Sequence, residues 1–196
     1  MKKVAVLISG RGSNLQSLID AQDASYKITL VISNIEGAGG LERAKAAGLA
    51  TAIIPHAGKT REAFDSEVDA VLRAADAEIV VLAGFMRILS DGFVRGWEGK
   101  LVNIHPSLLP KYKGTRVHER VIAAKESLSG ASAHFVVPEL DAGPVIAQAS
   151  VPVHPGDTPQ TLAARVLEVE HQLYPQALKL LADDGVALEK GLAVFR

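Results

Sequence analysis

Short runs dense in Val and Ile recur at Val4–Ile8, Ile28–Ile32, Ala52–Ile54, Ile79–Ala83, Leu101–Ile104, Ala133–Val137 and Val145–Ala149, and each is predicted to be a strand. The first, second and fourth lack polar alternation, the pattern of strands covered by helices on both faces. Helical stripes lie between the runs. From Arg61 to Asp76 the apolar positions Phe64, Val68, Val71, Leu72 and Ala75 share one face, and Thr60 is placed to cap the start. From Pro159 to Leu181 the stripe is Leu162, Val166, Val169, Leu173 and Leu180, with Thr158 as cap and Pro159 in the first turn; Pro175 is expected to bend or end this helix. No repeat, low-complexity tract or Pro/Ser-rich linker divides the chain. The pattern predicts one α/β domain with a mainly parallel, twisted sheet of about seven strands, and a small ribbon from Val186 to Phe195.

At 196 residues and 48% hydrophobic content the chain can bury a sizeable core, which excludes disorder as its main state. A formal net charge of -1 offers no global attraction to nucleic acid or anionic membrane, so any anion site must be local. With no cysteine, thiolate nucleophiles, disulfides and Cys-ligated metals are excluded. The longest uncharged apolar stretch, Ile79 to Met86, is far below the roughly 18–20 residues that cross a bilayer. The expectation is a cytoplasmic protein with small-molecule partners, existing as a monomer or homodimer.

Four local features bear on chemistry. Ser9-Gly10-Arg11-Gly12-Ser13-Asn14 falls where the first strand should turn into a helix, and helix-start N–H groups after a glycine turn suit a phosphate. Leu15 stands where a dinucleotide fingerprint needs a third glycine, so a monophosphate fits better than NAD or FAD; an ordinary strand-to-helix turn capped by Ser or Asn is the alternative. Gly58-Lys59-Thr60 resembles the end of a Walker loop, but Ile53 replaces its first glycine, and the segment reads as a helix start. In Leu101-Val102-Asn103-Ile104-His105-Pro106, Asn103 and His105 lie two apart at a strand end and so point to one side. An amide and an imidazole aimed together can stabilise an oxyanion and move a proton, although a buried polar cap on a loop would use the same residues. Asp141, in the turn Glu139-Leu140-Asp141-Ala142-Gly143-Pro144, either begins a turn or reaches His105 from a neighbouring strand end.

These residues carry a resemblance to the formyltetrahydrofolate-using formyltransferases. It rests on Ile8–Gln16, Leu82–Leu89, Asn103–Pro110 and Glu139–Asp141, in that order over residues 1 to about 185. The resemblance is strongest to the branch acting on glycinamide ribonucleotide in purine biosynthesis. It implies a single formyltransferase domain over 1–196 with a Rossmann-like amino-terminal half, to about residue 100, for the nucleotide, and a catalytic and folate-binding half beyond. It implies transfer of the formyl group of 10-formyltetrahydrofolate, a co-substrate, to the ribonucleotide amine, giving formylglycinamide ribonucleotide and tetrahydrofolate without a metal. By resemblance Asn103, His105 and Asp141 are catalytic, and Gly12, Ser13, Asn14 and Glu170 hold the ribonucleotide. Arg61, Met86, Arg87, Ile88, Leu89, Asn103 and residues Val137, Pro138, Glu139, Leu140 and Asp141 line the folate site. Without the family, Met86, Ile88 and Leu89 read as plain core; His134 either supports the site from behind or is a satisfied core histidine, and the latter is the expectation.

Related transferases that act on methionyl-tRNA carry a further RNA-binding domain, and the related deformylases a regulatory domain before the first strand. Here strand one starts at Val4, and the expected acceptor is a small molecule. The alternatives are a formyltetrahydrofolate hydrolase, a formyltransferase with another amine acceptor, or a nucleotide- or folate-binding module without turnover. Arg11, Ala131, Ala142 and Lys113 to Val117 depart from the usual family pattern, which leaves the loop up to His118 without an assigned role.

Overall fold

The computed structural model describes residues 1–196, and its centre is a seven-stranded sheet. The strands are β1 (Lys2–Ile8), β2 (Tyr26–Ser33), β3 (Ala50–Ile53), β4 (Ile79–Leu82), β5 (Leu101–His105), β6 (Leu128–Phe135) and β7 (Val145–Pro152), in the order β3-β2-β1-β4-β5-β6-β7. The first five run parallel, whereas β5–β6 and β6–β7 are antiparallel. A ribbon of β8 (Val186–Glu189) and β9 (Leu192–Phe195) follows, as the tail pattern predicted.

The all-apolar β1 is explained by its place. Val4, Val6 and Ile8 join the core on one face, Ala5 and Leu7 that on the other, and all five are fully buried. Each Val, Leu or Ile removed from water in this way contributes about 1.5–3 kcal/mol. Six helices cover the sheet: α1 (Ser13–Asp20), α2 (Gly39–Ala46), α3 (Arg61–Ala74), α4 (Asp91–Gly96), α5 (Val117–Ala123) and α6 (Pro159–Ala182). Thr60 accepts the Ala63 N–H at 3.2 Å, and Thr158 forms a reciprocal capping box with Thr161. Both caps were predicted, and the 58–60 segment is a helix start.

Two expectations change. Helix α6 runs through Pro175 to Ala182, because Leu173, Tyr174, Ala177 and Leu178 on either side of the proline are buried in the core. Strand β6 begins five residues before the predicted Ala133 and ends at Phe135. Its early residues Ser129 to Ala133 are small and buried, so close packing selects them where the Val/Ile signal is absent. None of the helices is long and apolar enough to cross a membrane.

The strand order reverses between β1 and β4, and open α/β sheets bind ligands where the loops leave such a switch point.

Candidate active site

The turn after β1 leads into α1 through Gly12, which has φ 72° and ψ 33° and no side-chain cap after it. A side chain at 12 would put its Cβ 2.5 Å from the Gly40 Cα, so the position takes glycine for both conformation and space. No Ser or Asn side chain caps α1, so the cap of the alternative reading is not formed and the helix start is left electropositive. Arg43 Nε holds the Arg11 carbonyl at 2.9 Å from outside the turn. Asn14 is buried and donates its amide to Glu170 Oε2 at 2.7 Å, while its own Oδ1 has no partner. Burial pushes the Glu170 carboxyl above its ordinary 4.5, and the Asn14 bond opposes this only partly. Glu168, two residues earlier, is exposed.

One helical turn beyond Glu170, the Tyr174 hydroxyl lies 2.9 Å from the Leu82 carbonyl and 3.1 Å from that of Val102. Tyr174 thereby ties α6 to the end of β4 and to Val102, the neighbour of Asn103 in β5.

Val102 and Ile104 enter one core, which turns Asn103 and His105 to the opposite face of β5. His105 is buried; its Nε2–H donates to the Tyr112 carbonyl at 2.9 Å, and its Nδ1 faces Asp141 Oδ2 at 3.4 Å. Each ring nitrogen thus has an acceptor opposite it. Asp141 Oδ2 also accepts the Gly114 N–H at 2.8 Å.

Asn103, His105 and Asp141 do converge, but not by the predicted route. Strand β6 is antiparallel, with Phe135 opposite Val102, so the turn leaving β6 starts near the amino end of β5. It folds back along the sheet to reach His105. Gly143 permits this close return: a Cβ there would lie 1.7 Å from the Phe135 carbonyl oxygen. Asp141 itself has φ 49°, a conformation that Asp and Asn tolerate better than most residues.

His134 is a buried, satisfied histidine that also supports this cluster. Its Nδ1–H donates to the Phe135 carbonyl at 2.8 Å, so Nε2 accepts from the Asn103 amide at 3.3 Å. Burial lowers the His134 pKa and keeps the ring neutral, as that acceptor role requires. The second Asn103 N–H remains for a ligand. The sequence reading also missed the support of the 106–112 loop. Ser132 Oγ donates to the Ser107 carbonyl at 2.6 Å and accepts from Leu109 N–H at 3.0 Å and from Gln148 Nε2 at 2.8 Å. That set fixes where the Tyr112 carbonyl meets His105. A recess of about 350 Å³, lined by Leu108, Pro110, Tyr112, Val121 and Leu128 among others, lies behind this loop.

Of the other predicted site residues, Met86 and Ile88 are exposed at 81% and 57%, which overturns the plain-core reading for both; Leu89 is buried. Arg87 lies 4.8 Å over the Phe64 ring and donates to the Lys59 carbonyl at 3.3 Å, so the start of α3, with exposed Arg61, abuts the 84–89 loop. Val137 is half-buried, whereas Pro138, Glu139 and Leu140 are exposed on the Asp141 turn, where Glu139 pairs with Lys113 at 3.3 Å. His118, on α5, has a buried Nδ1 with no partner and a pKa lowered first by burial and then by His105.

With this mostly parallel α/β sheet and its Asn–His–Asp cluster, the chain belongs to the formyl transferase family, whose model matches residues 2–178. It is 46% identical over 194 residues to the phosphoribosylglycinamide formyltransferase of Escherichia coli, covering 97% of this chain and 92% of that one. It is also 49% identical over 190 residues to the Homo sapiens trifunctional purine biosynthetic protein adenosine-3; that match covers 95% of this chain but only 19% of the human protein. Among solved structures, the phosphoribosylglycinamide formyltransferase of Coxiella burnetii in complex with CHES superposes with a TM-score of 0.94 at 43% identity, over 99% of this chain and 93% of the other.

Proposed function

We propose that the protein transfers the formyl group of 10-formyltetrahydrofolate to the amine of glycinamide ribonucleotide, a cytoplasmic step of purine biosynthesis. The convergence of Asn103, His105 and Asp141 carries this reading, with the Asn14–Glu170 pair on the helix that Tyr174 ties to the strand ends bearing Leu82 and Val102. The ribonucleotide phosphate sits on Gly12, Ser13 and Asn14, and Glu170 accepts from its sugar or amide. The folate lies between the 86–89 loop and the 137–141 turn, where exposed Met86, Ile88 and Leu140 offer apolar surface to the pterin and Arg61 faces the glutamate tail.

The amine nitrogen attacks the formyl carbon, and the carbonyl electron pair moves onto oxygen. The free Asn103 N–H stabilises that oxyanion; His105, whose Nε2–H stays on the Tyr112 carbonyl, takes the proton lost by the amine at Nδ1, adds its charge to the stabilisation, and passes the proton to the departing folate nitrogen as its bond to carbon breaks. Asp141 stabilises the positive ring formed on the way. No covalent acyl-enzyme is needed, because holding both substrates in attack geometry already contributes several kcal/mol.

The test is tetrahydrofolate release from 10-formyltetrahydrofolate with and without glycinamide ribonucleotide. Turnover only with the ribonucleotide, and formylated ribonucleotide as product, is expected. Equal release without it makes the protein a hydrolase, and binding of both compounds without release makes it a non-catalytic module.

Glu170→Gln separates binding from stability. A carboxyl whose folded pKa lies above 4.5 holds its proton more tightly in the fold, so the parent loses stability as pH rises from 4.5 through the raised value. The amide removes that buried charge and brings an N–H toward the unpaired Asn14 Oδ1. The expected result is a higher Tm than the parent, with a gap that widens between pH 4.5 and 8 in thermal melts. Loss of the charged acceptor raises the ribonucleotide KM about tenfold.

A further inference from the structure

Ser9 stands where β1 and β4 part, and its hydroxyl is used twice. It accepts the Met86 N–H at 2.8 Å and donates to Asn34 Oδ1 at 2.6 Å, while the Ser9 N–H reaches the Gly84 carbonyl at 3.2 Å. Asn34, just past β2, is 3% exposed. With Oδ1 occupied, its amide group lies 3.1 Å from His56 Nδ1, which also faces the Asn34 backbone carbonyl at 3.2 Å. The His56 edge meets Phe64 at 6.5 Å and 88°, and Phe64 stacks on Phe85 at 6.3 Å. The 84–88 loop is therefore tied down at Gly84 and Met86 by Ser9 and at Phe85 and Arg87 by Phe64. The exposed Met86 and Ile88 side chains have little packing of their own to hold the loop. Ser9 also begins the 9–14 turn, so a single residue joins both loops.

The geometry points to Ser9 as a positioning residue that sets the folate-side loop at a fixed offset from the phosphate-side turn, with Asn34 orienting its hydroxyl. This rests on the formyl-transfer reading, in which donor carbon and acceptor nitrogen must meet at about 3–3.5 Å. Alanine at 9 leaves the Met86 N–H to water and the Asn34 oxygen unpaired, and the loop is released from the turn while the turn itself, built on Gly12, stays. The folate then binds less well and sits less squarely against the amine.

Steady-state kinetics of the full chain with both substrates varied tests this. Ser9→Ala is expected to raise the folate KM about tenfold and lower kcat about tenfold, since small misplacements cost up to about 10²-fold, while the ribonucleotide KM moves less than about twofold. Ser9→Thr keeps the hydroxyl and returns both values to within about threefold of the parent, and Asn34→Ala, which leaves Ser9 in place but unanchored, raises the folate KM about threefold. If Ser9→Ala does not fold, the Asn34 variant decides. An equal rise in both KM values, unchanged kinetics, or a threonine no better than alanine overturns the role. An inactive parent instead removes the formyl-transfer reading and this role with it, whereas an active parent matched by its variants removes only the role of Ser9.

Discussion

His105→Ala is expected to lower kcat for formyl transfer by about 10³-fold, measured as tetrahydrofolate release at saturating concentrations of both substrates. Loss of one oxyanion donor typically costs about 10²- to 10³-fold, and here the same ring also moves the proton, which places the loss at the upper end. The Tm should fall as well, because His105 is buried between two acceptors and its removal leaves the Tyr112 carbonyl and the Asp141 carboxylate short of a partner. An unpaired buried acceptor of this kind costs about 1–3 kcal/mol. The two effects separate by binding: the ribonucleotide turn is built on Gly12, Asn14 and Glu170, none of which bonds to His105, so the ribonucleotide Kd by calorimetry should stay near that of the parent. Full activity in the folded variant would rule out the role given to the ring.

The central strands were legible because burial on both faces leaves only apolar residues, and β1 displays that in its sequence. Antiparallel β6 was legible only at its end, since the residues that pack it closely are small and carry no strand signal. Helices α2, α4 and α5 are six to eight residues long, too short for an apolar stripe to repeat. In the site, Asn103 and His105 could be paired from their spacing alone, because alternation on a strand is local. His134, Ser132 and Ser9 could not. Each acts through a partner 23 to 77 residues away or across a strand register that no local pattern encodes. Asp141 was found with the right partner for the wrong reason: it reaches His105 because a glycine lets an antiparallel turn double back, not because two parallel strands end side by side.

That doubled-back turn makes Asp141→Asn the sharper probe of the cluster. Asparagine tolerates the left-handed conformation, and its side-chain oxygen still accepts from Gly114, so the fold and its Tm should be nearly unchanged. What is lost is the negative charge 3.4 Å from His105 Nδ1. At that distance a charge pair near a protein surface interacts by several kcal/mol, and even a fraction of it, withheld from the positive ring that forms during proton transfer, raises the barrier substantially. The expected drop in kcat is about 10²- to 10³-fold, and 1.4 kcal/mol corresponds to each factor of ten. Asp141→Ala should slow the reaction at least as much and also lower the Tm, because it frees the Gly114 N–H and puts alanine at φ 49°. An asparagine variant as active as the parent, with the alanine variant merely less stable, would mean that Asp141 serves the loop and not the ring.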